Sequence, residues 1–341
     1  MIDLRSDTKT LPTPQMREAM MRAEVGDDVS GEDPTVNHLE EVCAELMGKE
    51  AGLLVTSGTQ GNLVSMMAHT QPGQMVICHN LAHIVVYEQG GLARICSLLV
   101  HPLQGKYGAL DPDEVEAAVP PDEIHRVRLG LVELENTHNN CGGTVLDGDQ
   151  IASVAQVAHR HGAPLHIDGA RIFNAATYLG VKAKDLVASA DSVQFCFSKG
   201  LGAPIGSMVV GSRDFIKEAR RARKVVGGGM RQAGILAAAA LMALEEGIPR
   251  LHEDHIHARQ IAETLATLPG IEIDLASVQT NLLFFRVCRE DMTAPQLCDR
   301  LAQYEVKASA RDKAAIRFVT HRDVSAQDTQ VVCRALQEIL A

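Results

Sequence analysis

The chain has 341 residues, enough for about two domains at ~150 residues each. Hydrophobic residues make up 46% and charged residues 22%, the balance of a folded globular chain and not of a disordered one. A net charge of −11, with 3% aromatics and no Trp, argues against both a phosphate-backbone surface and a base-stacking platform, so nucleic acid is not an expected partner.

The first residues, Met1-Ile2-Asp3-Leu4-Arg5-Ser6-Asp7, carry acids and no apolar stretch of the secretory kind. Asp33-Pro34 opens a helix with Asp as cap and Pro in the first turn, placing Val36, Leu39, Cys43 and Leu46 on one face. Strands follow at Leu53–Thr56, Met75–Cys78, Ile95–Val100, Leu129–Glu133, Leu165–Ile167, Ser192–Phe197 and Ser207–Val210. Several are apolar on successive residues, as strands buried on both faces are. A helix over Asp149–His161 turns Ile151, Val154, Ala155 and Ala158 inward and stops at Gly162. The alternation predicts an α/β fold: a large domain, residues 1–248 with an N-terminal arm over 1–30, whose mostly parallel sheet is sandwiched by helices. After an Ala-rich helix near Gln232–Glu246 the pattern shifts. A long helix (Pro249–Leu268), short strands at Ile271–Ile273, Leu282–Arg286 and Ile316–Phe318, and helices at Ala294–Leu301 and Ala326–Leu340 predict a smaller C-terminal α/β domain over 249–341. The longest weakly polar run, Ala233–Leu244, is shorter than the ~20 residues of a membrane span. The eight Cys form no Cys-x-x-Cys pair and read as buried free thiols of a reducing, cytoplasmic setting.

Three segments carry chemistry. Ser57-Gly58-Thr59-Gln60-Gly61-Asn62 follows a strand and opens a helix, and small residues there leave backbone N–H groups facing an anion. In Leu165-His166-Ile167-Asp168-Gly169-Ala170-Arg171, an acid ends a strand at the sheet edge where ligands bind. Asp168 there is open to three uses: a protonated ring nitrogen, a metal, or a pair with Arg171. The strand Ser192–Phe197 runs into Ser198-Lys199-Gly200, where partial desolvation favours a free Lys amine and a Schiff base. A phosphate cup, a carboxylate and an amine on one sheet edge meet the needs of pyridoxal 5′-phosphate (PLP).

Eight ordered motifs extend this reading: Ile2–Thr8, Gly26–Val29, Asp33–Thr35, Ser57–Gln60, Glu135–Asn139, His166–Arg171, Ser198–Leu201 and Gly227–Gln232. On them the chain resembles the low-specificity L-threonine aldolases of the aspartate-aminotransferase-like PLP superfamily, fold type I. The resemblance implies retro-aldol cleavage of L-threonine, L-allo-threonine and other β-hydroxy-α-amino acids to glycine and an aldehyde. It implies that Lys199 bonds the cofactor aldehyde, that Asp168 faces the pyridine nitrogen, and that Ser57, Gly58 and Thr59 hold the phosphate. His83 would stack over the ring, with His125 a second active-site histidine. Ser6, Arg171 and Arg317 would grip the substrate carboxylate, with Arg171 placed near either that carboxylate or the ring oxygen of the cofactor. Lys224, for the substrate, and Arg231, for the cofactor, match positions supplied across a subunit interface, which implies a homo-oligomer, a dimer of dimers. Ser30 stands where many relatives carry Tyr. His83 or His125 is the expected base for the β-hydroxyl proton, because His titrates near neutrality.

Other segments read as structure. His252-Glu253-Asp254-His255-Ile256-His257 lacks the spacing of a zincin and reads as a solvated helix face. Lys217, Arg220, Arg221, Arg223 and Lys224 read as a solvated basic face that also feeds a subunit contact. No metal site is expected at Cys78, His79 and His83. The rival readings are an aminotransferase or β-eliminating lyase on the same scaffold and, from another class, an NAD(P)-dependent oxidoreductase. The latter lacks a glycine-rich dinucleotide turn near the N-terminus.

Overall fold

The computed structural model describes residues 1–341. Its strands, in chain order, are β1 (Ile2–Asp3), β2 (Ala51–Val55), β3 (Met75–His79), β4 (Leu99–Leu103), β5 (Leu129–Glu135), β6 (Leu165–Asp168), β7 (Ser192–Cys196), β8 (Ser207–Gly211), β9 (Ile271–Glu272), β10 (Leu282–Val287), β11 (Val306–Lys307), β12 (Ser309–Ala310) and β13 (Ala315–Val319). The main sheet has the order β2-β8-β7-β6-β5-β3-β4, and only β8 runs against its neighbours. Strands β3, β6, β7 and β8 are buried along their whole length. Helices on both faces achieve this, the arrangement a parallel sheet requires. Parallel β3, β5, β6 and β7 therefore release their C-terminal ends on one edge, where ligands bind in open α/β sheets.

The helix ends follow the capping residues. Asp33 accepts from the N–H groups of Thr35 and Val36 to start Pro34–Leu46, and also holds the N–H of Gly234 at 2.8 Å, tying that helix to the Ala-rich one. Asp147 and Gln150 form a reciprocal cap for Gly148–Arg160. One strand differs from expectation. The sequence places it at Ile95–Val100, but Gly91–Arg94 is a helical turn and the strand is Leu99–Leu103. Cys96 and Leu98 are consumed by a small apolar cluster with Ile84 and Leu92, so pairing with β3 begins only at Leu99.

The second sheet, antiparallel β12-β13-β10-β9, packs its own core with the helices Leu251–Ala266, Ala294–Ala302 and Ala326–Leu340. The sequence assigns residues 1–30 to the large domain. In the structure β1 pairs with β11, and Ile2 and Leu4 pack in the second core. Asp7 is thereby carried from the second unit back to the edge of the main sheet. The boundary near residue 248 lies within a continuous helical run from Gly234 to Ala266. No helix is long and apolar enough to cross a membrane.

Candidate active site

The sheet edge and the second unit enclose a cleft of about 280 Å³, lined among others by Ser6, His83, Glu135, Asp168, Arg171, Lys199 and Arg317. Lys199 leaves β7 in a tight turn in which Gly202, at φ +86°, donates its N–H to the Lys199 carbonyl at 2.9 Å. That φ favours glycine. The Thr10 hydroxyl donates to the same carbonyl at 3.0 Å, so the N-terminal segment pins the turn. Lys199 itself is half-buried.

Asp168, at the end of β6, does not pair with Arg171. Its Oδ2 accepts from Asn62 Nδ2 at 2.8 Å, and its Oδ1 from Gln194 Nε2 at 2.9 Å and the Ala170 N–H at 3.1 Å. Asn62 lies in the helix Gly58–His69, so the segment expected to hold an anion also braces this carboxylate. That helix approaches closely because residue 61 is glycine: a Cβ there would lie 2.5 Å from Gln194 Cγ. Ser57 Oγ caps the helix by accepting from the Gln60 N–H. The N–H groups of Gly58 and Thr59, in the first turn, have no acceptor within the helix.

Acid accumulates around Asp168. Glu88 accepts from Asn62 at 2.8 Å and pairs with His83 Nδ1 at 2.8 Å. Glu133 and Glu135, from β5, are buried beside it, and neither oxygen of Glu133 has a partner. Burial, then repulsion from Glu135 and Asp168, holds Glu133 well above the usual carboxylate range. Burial and Asp168 push Glu135 up to about 7. Burial works against a charged His83, but its bond to Glu88 and the nearby Asp168 carry the ring above its ordinary value. Amides and backbone N–H groups brace this buried acid cluster, and histidines are the only basic side chains paired with it, which favours a ligand that brings a proton or positive charge.

The opposite wall is basic. Arg171, 6% exposed, makes a bidentate pair with Asp7 at 2.6 and 2.7 Å. Burial alone would raise Asp7; the guanidinium instead holds it far below the usual carboxylate range. Arg317, on β13, has no carboxylate partner. It donates to Asn139 Oδ1 at 3.0 Å and the Arg5 carbonyl at 3.2 Å, while its Nε is buried without an acceptor. Burial, with Arg171 and Arg311 nearby, pushes it down to about 10. The two arginines predicted to share one task therefore differ. Arg171 is committed to Asp7, and Arg317 is left free for an incoming anion. Ser6 faces the same cleft.

Other predicted residues lie elsewhere in the single chain. His125 is exposed in the segment between the helix Pro112–Ala118 and β5 and does not line the cleft. Lys224 lines a separate basic groove with Lys217 and Arg220, and Arg231 pairs with Asp27 on the surface. Ser30 is exposed at the end of a short helical turn, away from the cleft. The basic run is not uniformly solvated: Arg223 is buried, paired with Asp28 at 2.8 Å, and donates to the Leu54 carbonyl. The 252–257 segment is likewise not a solvated face, because Asp254 and His257 are buried against the second unit and the Lys199 turn. His79 does not join Cys78 and His83. It lies with His138 and Cys141, and its ring nitrogens are engaged by Gly105 and Leu81. A larger apolar groove of about 600 Å³, lined by Val42, Leu46, Phe173 and Val181, contains none of the predicted site residues.

Sequence reasoning about single segments missed Asn62, Gln194, Glu88 and Asp7 as partners of the site. A visible signal existed for Gln194, a lone amide inside an apolar strand, and for Glu133 and Glu135, acids at the end of another; such groups are costly to bury without purpose.

The chain belongs to the Beta-eliminating lyase family, whose model matches residues 3–288. Low-specificity L-threonine aldolase 1 of Arabidopsis thaliana is 46% identical over 99% of this chain and 96% of its own length. The chain belongs to the low-specificity L-threonine aldolases. The fold agrees with that of the Leishmania major threonine aldolase (TM-score 0.85, 20% identity, 100% of both chains). It also agrees with that of SPT, whose structure holds PLP (TM-score 0.77, 15% identity, 99% and 88% of the two chains).

Proposed function

We propose that this chain is a PLP-dependent L-threonine aldolase, cleaving L-threonine, L-allo-threonine and related β-hydroxy-α-amino acids to glycine and an aldehyde. The observation that carries the reading is the placing of an acid-rich floor at Asp168 opposite Arg317, which has no carboxylate partner, across one cleft that also holds Lys199. PLP fits these residues. Its protonated ring nitrogen would sit on Asp168, its phosphate on the N–H groups of Gly58 and Thr59 beside Ser57, and its aldehyde within reach of Lys199. His83 would cover the ring face. When bound, the cofactor supplies an electron sink for the Cα–Cβ bond that breaks.

The protein does the rest. Asn62 and Gln194 hold Asp168 in one orientation, so the carboxylate would meet a protonated ring nitrogen without reorganising. Arg317, with Ser6, binds the substrate carboxylate, and a planar guanidinium fixes its direction by paired bonds. A carboxylate held there would limit how the rest of the substrate can turn in the cleft. Glu88 holds His83 through Nδ1, which leaves Nε2 to take the β-hydroxyl proton. Arg171 supports the site indirectly, by anchoring Asp7 and the N-terminal segment that pins Lys199.

A homo-oligomer, a dimer of dimers in the cytoplasm, completes the reading. Lys224, Arg231 and His125 stand exposed or outside the cleft, and neighbouring Val225 is an exposed apolar side chain. These features support a role across a subunit contact.

The test is direct. Purified protein with PLP and L-threonine is expected to release glycine and acetaldehyde in equal amounts without any α-keto acid. Its yellow colour is expected to bleach with borohydride. Lys199→Ala is expected to lose both properties. Amino transfer that requires a keto acid would overturn the reading.

A further inference from the structure

We infer that Glu135 is a positioning residue whose single carboxylate clamps the two loops that carry the cofactor wall and the substrate-carboxylate grip. This rests on the function proposed above. Glu135 ends β5 opposite Asp168 in the sheet register and lines the cleft, yet it is 4% exposed. Its Oε2 accepts from the backbone N–H of His83 at 2.8 Å, and its Oε1 from the backbone N–H of Asn139 at 2.8 Å. His83 begins the short helix after β3; Asn139 lies in the turn after β5. No other side-chain oxygen accepts from either N–H.

Each loop holds one functional group. On one side, the ring of His83 pairs with Glu88. On the other, Asn139 Oδ1 receives Arg317 Nη1 at 3.0 Å and Arg171 Nη1 at 3.5 Å. Displacing the Asn139 backbone therefore displaces the guanidinium that awaits the substrate. Displacing the His83 backbone moves the wall over the ring. Two N–H donors at two oxygens favour the ionised carboxylate, because in a protonated carboxyl or an amide one of the two heteroatoms carries hydrogen and accepts poorly. When ionised, Glu135 is a buried negative charge that no Lys or Arg neutralises by contact. Its buried acid neighbours oppose that charge; the two amides hold it.

The experiment compares holoenzymes of wild type, Glu135→Gln, Glu135→Leu and Asn139→Ala. Two readouts are used: KM for L-threonine, and the visible circular-dichroism band of bound PLP without substrate. Glu135→Leu removes both acceptors and is expected to raise KM about tenfold to a hundredfold, the range for losing a hydrogen bond to a charged group, and to shift the dichroism band. Glu135→Gln keeps one acceptor and is expected to change at least one readout. Asn139→Ala is expected to raise KM and leave the band unchanged, because it breaks only the arginine side. Wild-type values of both readouts in either folded Glu135 variant would overturn the inference. So would a Glu135→Leu protein altered in one readout alone, an Asn139→Ala protein with a shifted band, or failure of both Glu135 variants to fold. Absence of threonine cleavage in wild type with the cofactor in place would count against the proposed function instead, and the dichroism comparison would still judge the clamp at His83.

Discussion

The two walls of the cleft treat buried charge in opposite ways. On the sheet edge, Glu88, Glu133, Glu135 and Asp168 lie together, and histidines are the only basic side chains within ion-pair distance. On the facing wall, Arg171 and Arg317 come together, and the single acid there, Asp7, is taken by Arg171. The sheet-edge wall holds protons above their ordinary affinity; the facing wall holds a guanidinium without a counter-ion. A buried charge without a partner is costly, and each wall is relieved by a ligand of the opposite sign. On the proposed function, a substrate carboxylate at Arg317 and a protonated ring nitrogen at Asp168 would supply both. The difference teaches that one cleft sets an acid-rich wall against a guanidinium without a counter-ion, the latter supplied by the second unit of the chain.

Four changes would break or sharpen this contrast. The largest expected effect is at His83, the proposed proton acceptor. His83→Asn should lower kcat by about 10²–10⁴-fold, the range for losing a general base, with Tm little changed. A kcat within twofold of wild type would remove His83 from that role. Next is the free guanidinium: Arg317→Ala should raise KM for L-threonine about a hundredfold or more, since two charge-assisted bonds are lost. Arg317→Lys should recover only part, because an ammonium cannot make the paired contact.

Third is the closed pair. Asp7→Asn leaves Arg171 buried and unpaired and should cost about 3–5 kcal/mol of stability at neutral pH, measured by denaturant unfolding. Its folded pKa is depressed, so the wild-type advantage exists above the unfolded carboxylate value of about 3.9 and shrinks as pH falls below it. A cost that stays constant into acid would mean that the pair is not the cause. The smallest effect belongs to Glu133. Its folded pKa is raised, so the wild type loses stability as pH climbs above about 4.3, the unfolded value. Glu133→Gln should match wild type near pH 4 and gain up to about 1.4 kcal/mol per pH unit above that. Equal stability from pH 4 to 8 would show that Glu133 is not held protonated by its surroundings.

Much of the architecture was legible because its cause is local. Apolar runs flanked by caps and glycines mark β2, β3, β5, β6, β7 and β8, and Ala326–Leu340 is found as read. The error at β4 arose where apolar residues were used for a side cluster instead of a strand. Apolar patterning reports that a residue is buried, and does not say against what. The pairing of β1 with β11 had no signal at all: Ile2-Asp3 is two residues long, and its partner lies three hundred positions away.

The candidate site divides along the same line. Read alone, the chain determined the residue types on one sheet edge: a lysine after β7, a carboxylate after β6, a small-residue turn after β2. Each is set by a strand of its own and by the parallel order that aligns strand ends. Only the tertiary structure decided which groups pair. It gave Arg171 to Asp7, 164 positions away, and left Arg317 open; it set Asn62 and Gln194 on Asp168 and hung two loops from Glu135. Backbone preferences act over a few neighbours and are written in the order of residues. The partner of a buried charge is chosen by proximity after packing, which no local pattern encodes.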